Sequence, residues 1–485
     1  MDTLNHAPTR ADAATSGVTT VNPSTGLPLM THDETSPAQT EVILENAHRA
    51  AGLWRHTSVS ERADALRRFA ATLRKQRHEL ALTTTREMGR PLAETLDEVT
   101  KCAWACDWFA EHAPAMLERG HLETEAVDSY VVFVPLGVLF AIMPWNAPYW
   151  QVIRALAPAL VAGNVAILKH APSTTGCALR LAEVARNAGL PAGVLSVIIV
   201  SPTRTAEVSE RIISDDRVAA VTLTGSAAAG RSVAAVAGRA LKKAVLELGG
   251  SDPFIVLADA DIEAAAAWAA RSRFQNAGQA CLAAKRIILE DSIADDFTHH
   301  LLEHVGALTV GDPEALSVTI GPLARADLRD ELARQVRESV TQGARVLAGG
   351  KALEGPGFFY QPTVLDHVTA GMPVLSEEVF GPAVPLIRAR GVEAAIQFAN
   401  ETPFGLGSNV WTSDTDHGEE LALRIDAGYT AVNGMTTSDP RVPFGGVKQS
   451  GYGRELSSFG VHEFVNVHAV LVNGATGPTR EQPIK

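Results

Sequence analysis

Apolar positions along this chain recur in two rhythms. Across residues 39–55, 60–87 and 94–118 they return every three or four residues, the spacing of one buried helix face, and Met88-Gly89-Arg90-Pro91 punctuates the second stretch. Ahead of them Val21-Asn22-Pro23-Ser24-Thr25-Gly26 reads as a turn between short extended pieces. From Leu136 the rhythm changes. Short apolar runs at 138–143, 165–169, 194–200 and 219–224 alternate with alanine-rich helical segments, which predicts parallel strands covered on both faces by helices. A second alternating unit opens at Phe254-Ile255-Val256-Leu257 and runs to Pro443-Phe444-Gly445-Gly446 and the residues up to Gly451. Residues 463–472 alternate as a final strand that could pair with a neighbouring subunit.

The most apolar run, 131–145, is interrupted by Pro135 and Gly137 and falls short of the roughly 20 residues that a membrane helix needs, so it predicts two buried strands. The first twenty residues read as a flexible polar leader without the apolar core of a signal peptide.

Composition narrows the class. At 485 residues two or three domains are expected, and 46% hydrophobic with 20% charged residues is ordinary for a soluble globular chain. A net charge of -13 without a basic block argues against a nucleic-acid surface. The four cysteines, Cys102, Cys106, Cys177 and Cys281, are too few for a disulfide framework, which suits a reducing, cytoplasmic setting. Cys102 and Cys106 share a face if 93–112 is helical and read as core; no metal site is expected.

Candidate chemistry centres on Phe274-Gln275-Asn276-Ala277-Gly278-Gln279-Ala280-Cys281 and the following Leu282-Ala283-Ala284-Lys285-Arg286. Asp261 can cap a helix toward Arg273, Gly278 is a place for it to stop, and Arg286-Ile287-Ile288-Leu289 reads as a strand, so Cys281 sits in a connection. A lone thiol is most often an inert core residue. A nucleophilic thiol needs an oxyanion donor and, for hydrolysis of an acyl-enzyme, a base. Candidates for both stand upstream, in Pro144-Trp145-Asn146-Ala147-Pro148 and Leu246-Glu247-Leu248-Gly249-Gly250. Lys169, Thr224-Gly225-Ser226 and Glu247 each fall where an apolar strand gives out, where ligands of parallel sheets bind. No Gly-x-Gly-x-x-Gly occurs; the turn from Thr224 to Gly230, opening a helix, is the available phosphate cradle.

These motifs, in this order from about Val21 to the C-terminus, resemble the aldehyde dehydrogenase superfamily. The resemblance implies an α/β fold: a Rossmann-like parallel-sheet cofactor domain (21–120 and 137–248), an α/β catalytic domain (249–449) and a small β oligomerisation element (121–136 and 463–485), after the leader 1–20. It implies NAD(P)-dependent oxidation of an aldehyde to an acid, with Cys281 attacking the carbonyl, Asn146 and the Cys281 N–H holding the oxyanion, and Glu247 activating the water that hydrolyses the thioester. Trp145, Lys169, Thr224, Gly225, Ser226, Gly230, Leu248, Glu378 and Phe380 are the implied cofactor contacts. Pro172 stands where many NAD-using members carry a glutamate, which leaves both NAD and NADP open.

The likeness is strongest to bacterial succinate-semialdehyde dehydrogenases, through Cys106 to His112, Leu168 to Pro172 and Leu248 to Leu257. It assigns Arg154 as a clamp for the substrate's distal carboxylate, with Ala147, Trp150, Gln275, Arg441 and Phe444 completing the substrate set. Gln275 replaces a second arginine of some members, Arg441 offers another charge, and Ala147 replaces a usual phenylalanine. An acid-bearing semialdehyde is therefore the first expectation, and an aromatic or longer aldehyde the second. A CoA-acylating enzyme could dispense with Glu247, a cysteine hydrolase would want a histidine beside the thiol, and a silenced binding homologue would have lost the thiol or base. A homodimer or homotetramer is expected, with no nucleic-acid or membrane partner.

Overall fold

The computed structural model describes residues 17–475 and Gly477. Most of the expected leader therefore lies outside the described residues, but Gly17 to Thr20 are already part of β1 (Gly17–Asn22), which forms an antiparallel hairpin with β2 (Leu27–Asp33) about the expected turn. Four helices follow, α1 (Pro37–Trp54), α2 (Val59–Lys75), α3 (Arg77–Met88) and α4 (Leu92–Met116). Complete capping boxes, Ser36 with Gln39 and Ser58 with Glu61, satisfy otherwise orphaned amides at the starts of α1 and α2. The single helix expected over 60–87 is broken at Gln76. The break lets α3 turn to lie along α4, where Arg77 Nε donates to Leu96 O at 3.0 Å. Gly89 then closes α3 in the left-handed conformation, φ 84°, that favours glycine. Cys102 and Cys106 are fully buried on α4 as core residues.

After β3 (Gly120–His121) and β4 (Asp128–Pro135) comes the first parallel unit: β5 (Val138–Met143), α5 (Pro148–Val161), β6 (Val165–His170), α6 (Thr175–Asn187), β7 (Leu195–Ile198), α7 (Thr205–Ser214), β8 (Val218–Thr224), α8 (Ala227–Arg239) and β9 (Lys243–Glu247). Only the second of the two strands expected in 131–145 is fully buried, because β4 lies in a separate sheet with one side open. The parallel strands run in the order β9-β8-β5-β6-β7. The chain winds one way from β5 and the other way through β8 and β9, so the reversal lies between β5 and β8, where open α/β sheets bind ligands at the carboxyl ends.

The second unit comprises β10 (Asp252–Val256), α9 (Ile262–Phe274), β11 (Ala284–Glu290), β12 (Arg345–Ala348), β13 (Thr363–Asp366), β14 (Ala383–Ala389), β15 (Phe404–Gly405), β16 (Gly407–Trp411) and β17 (Tyr429–Val432). Its seven-stranded sheet has the order β12-β13-β14-β11-β10-β16-β17, parallel except for β12. β18 (Val447–Lys448) pairs with β15, and β19 (Gly451–Tyr452) joins the first sheet antiparallel to β9, tying the end of the chain to Glu247. β20 (Val465–Val472) pairs with β4, so β20-β4-β3 is a three-stranded sheet; Glu463 ends a short helix and is not part of that strand.

Every residue of α5 is buried, and its first turn has no local side-chain cap. The cap comes from α4: Glu98 Oε1 accepts the N–H groups of Tyr149 and Trp150, both at 2.9 Å, while Arg90 donates to Glu98 Oε2 at 3.1 Å. A carboxylate at a helix start complements the dipole as well as the orphan amides. Glu98→Ala should therefore lower stability by about 3 kcal/mol or more, since it orphans two buried amides and leaves Arg90 short of a partner. Urea unfolding of the variant would check this, and a loss within experimental error of zero would contradict it.

Candidate active site

Cys281 lies in the connection between α9 and β11, at the amino end of a strand. The Asn146 loop leaves the carboxyl end of β5, and the two meet across one cavity of about 650 Å³. Asp261 caps α9 by accepting Ala264 N–H, as expected, but α9 ends at Phe274, four positions before Gly278. The reason is a left-handed turn: Asn276, Ala277 and Gly278 have φ 52°, 51° and 72°. Two non-glycine residues in that region cost roughly 1–2 kcal/mol each. Glu94 accepts Asn276 N–H at 3.0 Å, and Asn276 Nδ2 donates to Asn146 O at 2.8 Å and Gln279 O at 3.1 Å, so the turn is held from three sides. A Cβ at Gly278 would collide with the carbonyl of Gly381.

Asn146 is buried and lines the cavity. One hydrogen of its Nδ2 goes to Gln279 O at 3.1 Å, and Gln151 Nε2 donates to its Oδ1 at 3.4 Å. Its second amide hydrogen and the Cys281 N–H have no acceptor among the described residues, which makes them two donors for an oxyanion on a thiol-bound carbon. Burial pushes the Cys281 thiol up, and the nearby charges of Arg154 and Lys285 pull it back down.

Glu247 ends β9 and does not line the cavity. It is about 1% exposed, neither oxygen has a hydrogen-bond partner among the described residues, and burial followed by the charge of Glu455 pushes its carboxyl well above the usual range. Arg154 stands between the two acids in the electrostatic sense: it pairs with Glu455, donates to Thr224 Oγ1 at 3.4 Å and lies 4.1 Å over the Phe444 ring.

This arrangement corrects part of the expected substrate set. Arg154 reaches the cavity wall, but its charge is already engaged by a carboxylate that lies 301 residues away in sequence. Arg441 is 64% exposed and bidentate to Asp439, two residues away, and does not line the cavity; Phe444 is buried beneath Arg154. Ala147, Trp150 and Gln275 do line it.

The expected cofactor contacts gather beside the sheet reversal. Thr224 ends β8, Gly225 donates to Glu247 O at 2.9 Å, and Ser226 caps α8 by accepting Ala229 N–H at 3.3 Å. A Cβ at Gly230 would come within 2.5 Å of Leu248, so only glycine lets helix and loop approach this closely. Lys169, at the end of β6, has no hydrogen-bond or ion-pair partner among the described residues, and burial pushes it down to about 8. A buried cation without an acceptor near the carboxyl end of a parallel strand suits an anionic ligand such as a dinucleotide. Trp145 meets Phe380 edge-on at 5.6 Å. Glu378 accepts Gly250 N–H at 3.1 Å and pairs with Lys285 at 2.5 Å.

Lys285 went unread in the sequence, yet its Nζ also donates to Gly250 O at 2.6 Å and Cys281 O at 3.0 Å, tying the thiol loop, the Glu247 segment and Glu378 together. Glu94, Glu98 and Lys101 were missed too, although their spacing sets three charges on one face of the helix.

With this geometry in view, the aldehyde dehydrogenase family profile matches residues 10–470. A succinate semialdehyde dehydrogenase [NAD(P)+] of Escherichia coli is 45% identical, over 93% of this chain and 96% of its own. A succinate-semialdehyde dehydrogenase [NADP(+)] of Mycobacterium avium is 43% identical, over 94% and 97%. The crystal structure of succinic semialdehyde dehydrogenase from Streptococcus pyogenes, in complex with NADP+, superposes with a TM-score of 0.91 at 36% identity and covers 94% of this chain and 100% of that one.

Among the four cysteines only Cys281 retains partial exposure. Iodoacetamide should therefore modify Cys281 first, at a rate that climbs with pH beyond the ordinary thiol range, while Cys102, Cys106 and Cys177 react only on unfolding. Peptide mass spectrometry checks this; earlier labelling of any buried thiol would contradict it.

Proposed function

The chain belongs to the aldehyde dehydrogenase family, and on that premise we propose that it oxidises succinate semialdehyde to succinate with NAD or NADP. The observation that carries the reading is the meeting of Cys281 and Asn146 in one cavity, with Glu247 behind the thiol loop. The named activities of relatives alike over nearly the whole chain supply the substrate.

Thr224, Gly225, Ser226, Gly230 and Leu248 would hold the cofactor phosphates, Lys169 its adenosine ribose, and Glu378, Phe380 and Trp145 its nicotinamide end. When bound there, the dinucleotide supplies a hydride acceptor. Cys281 attacks the aldehyde carbon as thiolate, and Asn146 Nδ2 and the Cys281 N–H donate to the resulting oxyanion. Once the acyl group is a thioester on Cys281, Glu247 takes a proton from the attacking water. A carboxyl held above its usual range is mostly protonated on the acid side of that raised value, so hydrolysis gains as pH rises through it.

The domain division follows from these roles: 21–120 and 137–248 for the cofactor, 249–449 for the thiol, and 121–136 with the segment after 463 for assembly. β20 pairs with β4 on one side, and Val467, Leu471 and Val472 are exposed on it. That apolar strand supports a homodimer or homotetramer. No described helix is long and apolar enough to cross a membrane, and four unbridged cysteines suit the cytoplasm. A second reading, oxidation of an aromatic or longer aldehyde, draws on Ala147, whose small side chain lines the cavity.

Absorbance of the reduced cofactor tests the cycle with succinate semialdehyde and with benzaldehyde. Cys281→Ala should abolish turnover. Glu247→Gln should give one burst per active site followed by a steady rate lower by roughly 10²–10⁴-fold. A Glu247→Gln variant at full steady rate would remove the base from the scheme, and faster turnover of benzaldehyde would favour the second reading.

A further inference from the structure

The cavity that holds Cys281 contains a cation the catalytic scheme does not use. Lys101 projects from α4 into its wall, 4.2 Å over the Trp150 ring, and its Nζ donates to Ser438 Oγ at 3.1 Å. Trp150 Nε1 donates to the same oxygen at 2.7 Å. Ser438 thus receives two donors, which anchors the ammonium without neutralising it.

Apart from the exposed Arg271, which meets only the Trp268 ring among the described residues, the other arginines lining the cavity are paired with acids. Arg90 is bound by Glu94 and Glu98, whose remaining lone pairs serve the backbone amides of Asn276, Tyr149 and Trp150. Arg154 is bound by Glu455, and Asp439 by Arg441. Arg271 stands at the rim and is exposed. Among the described residues no carboxylate pairs with Lys101, and burial pushes its ammonium down to about 8, as expected of a desolvated cation lacking an anion.

We infer that Lys101 is a group that recognises the distal carboxylate of the substrate. The inference rests on the reading of the substrate as an acid-bearing semialdehyde and names a residue that selects it. An incoming carboxylate supplies the missing counter-charge in a partly dry pocket, where charge-assisted hydrogen bonds are strong. Arg154 lines the same cavity and gives its Nε to Glu455, so Lys101 adds a second, uncompensated cation on the α4 side of the pocket.

The test compares kcat/KM for succinate semialdehyde with that for its methyl ester, which keeps length and aldehyde but removes the charge. The wild-type protein should prefer the acid. Lys101→Met should lower the acid-to-ester ratio by roughly 30–100-fold, the effect of one desolvated charge partner. Lys101→Gln, which keeps a donor for Ser438, should lose most of the preference as well, and thermal melting establishes that each variant folds. A wild-type protein indifferent to the charge defeats both the substrate reading and this assignment. A wild-type preference that survives in folded Lys101→Met or Lys101→Gln defeats the assignment alone, as does a ratio that collapses in Arg271→Met instead.

Discussion

Two carboxylates of α4, Glu94 and Glu98, hold the whole site in register. Glu98 caps α5 and so fixes the loop that carries Asn146; Glu94 accepts the Asn276 amide and so fixes the left-handed turn that delivers Cys281. Arg90 bridges both acids, at 2.9 Å to Glu94 and 3.1 Å to Glu98. Hydrogen bonds to charged groups contribute about 1.5–3 kcal/mol each. A buried ion pair on its own is often near neutral in stability, because desolvation offsets attraction. Here the same atoms also satisfy backbone amides of two distant loops, so their effect is mainly positional: one rigid helix sets the separation of oxyanion donor and thiol. Precision of this kind matters because a displacement on the order of 1 Å can cost about a hundredfold in rate.

Much of this architecture was legible because it is local. The capping boxes of α1 and α2, the turn at 22–26, the alternation after Leu136 and the strand ends at Lys169, Thr224 and Glu247 all follow from residues within a few positions of one another. The break at Gln76 was not legible, since the amphipathic rhythm runs through it and only packing on α4 demands a change of direction. The side-chain partners were lost for a similar reason. Arg441 sits two residues from the acid that claims it, and that pairing could have been read as a local turn. Arg154 meets Glu455 only after the last segment of the chain returns beside β9, and no periodicity reports such a contact. Lys101 was hidden by a stronger prior: a lysine on a long helix is usually solvated, and its place over Trp150 depends on how α4 and α5 cross.

The absence of a Gly-x-Gly-x-x-Gly turn does not weaken the cofactor reading, because the physical requirements are met by other means. A phosphate cradle needs helix amides, close approach of backbone and a nearby cation. Ser226 caps α8, Gly230 allows Leu248 to approach the helix, and Lys169, two strands away on β6, has no hydrogen-bond or ion-pair partner among the described residues. The glycine spacing of the usual fingerprint is one solution to that geometry, and this turn is the one proposed for this chain.

The charges around the thiol decide the order in which groups can act. Glu247 and Glu455 are both buried, and Arg154 pairs directly with Glu455 alone. Burial pushes both carboxyls up and the charge of Glu455 pushes Glu247 further, while Arg154 favours the charged form of both and Arg454 that of Glu247. Glu247, without a hydrogen-bond partner among the described residues, is pushed well above the usual carboxyl range. A protonated Glu247 would oppose the Cys281 thiolate less, leaving Asp252 as the other nearby acid set against the attraction of Arg154 and Lys285. In the proposed cycle the thiolate charge disappears once the acyl group is bound as a thioester. Removal of that anion makes ionisation of Glu247 easier at the step where a base is required. In that proposal a raised Glu247 opposes the thiolate little and ionises more readily once the thiolate is consumed, a consequence of burial and of the charges gathered around the thiol.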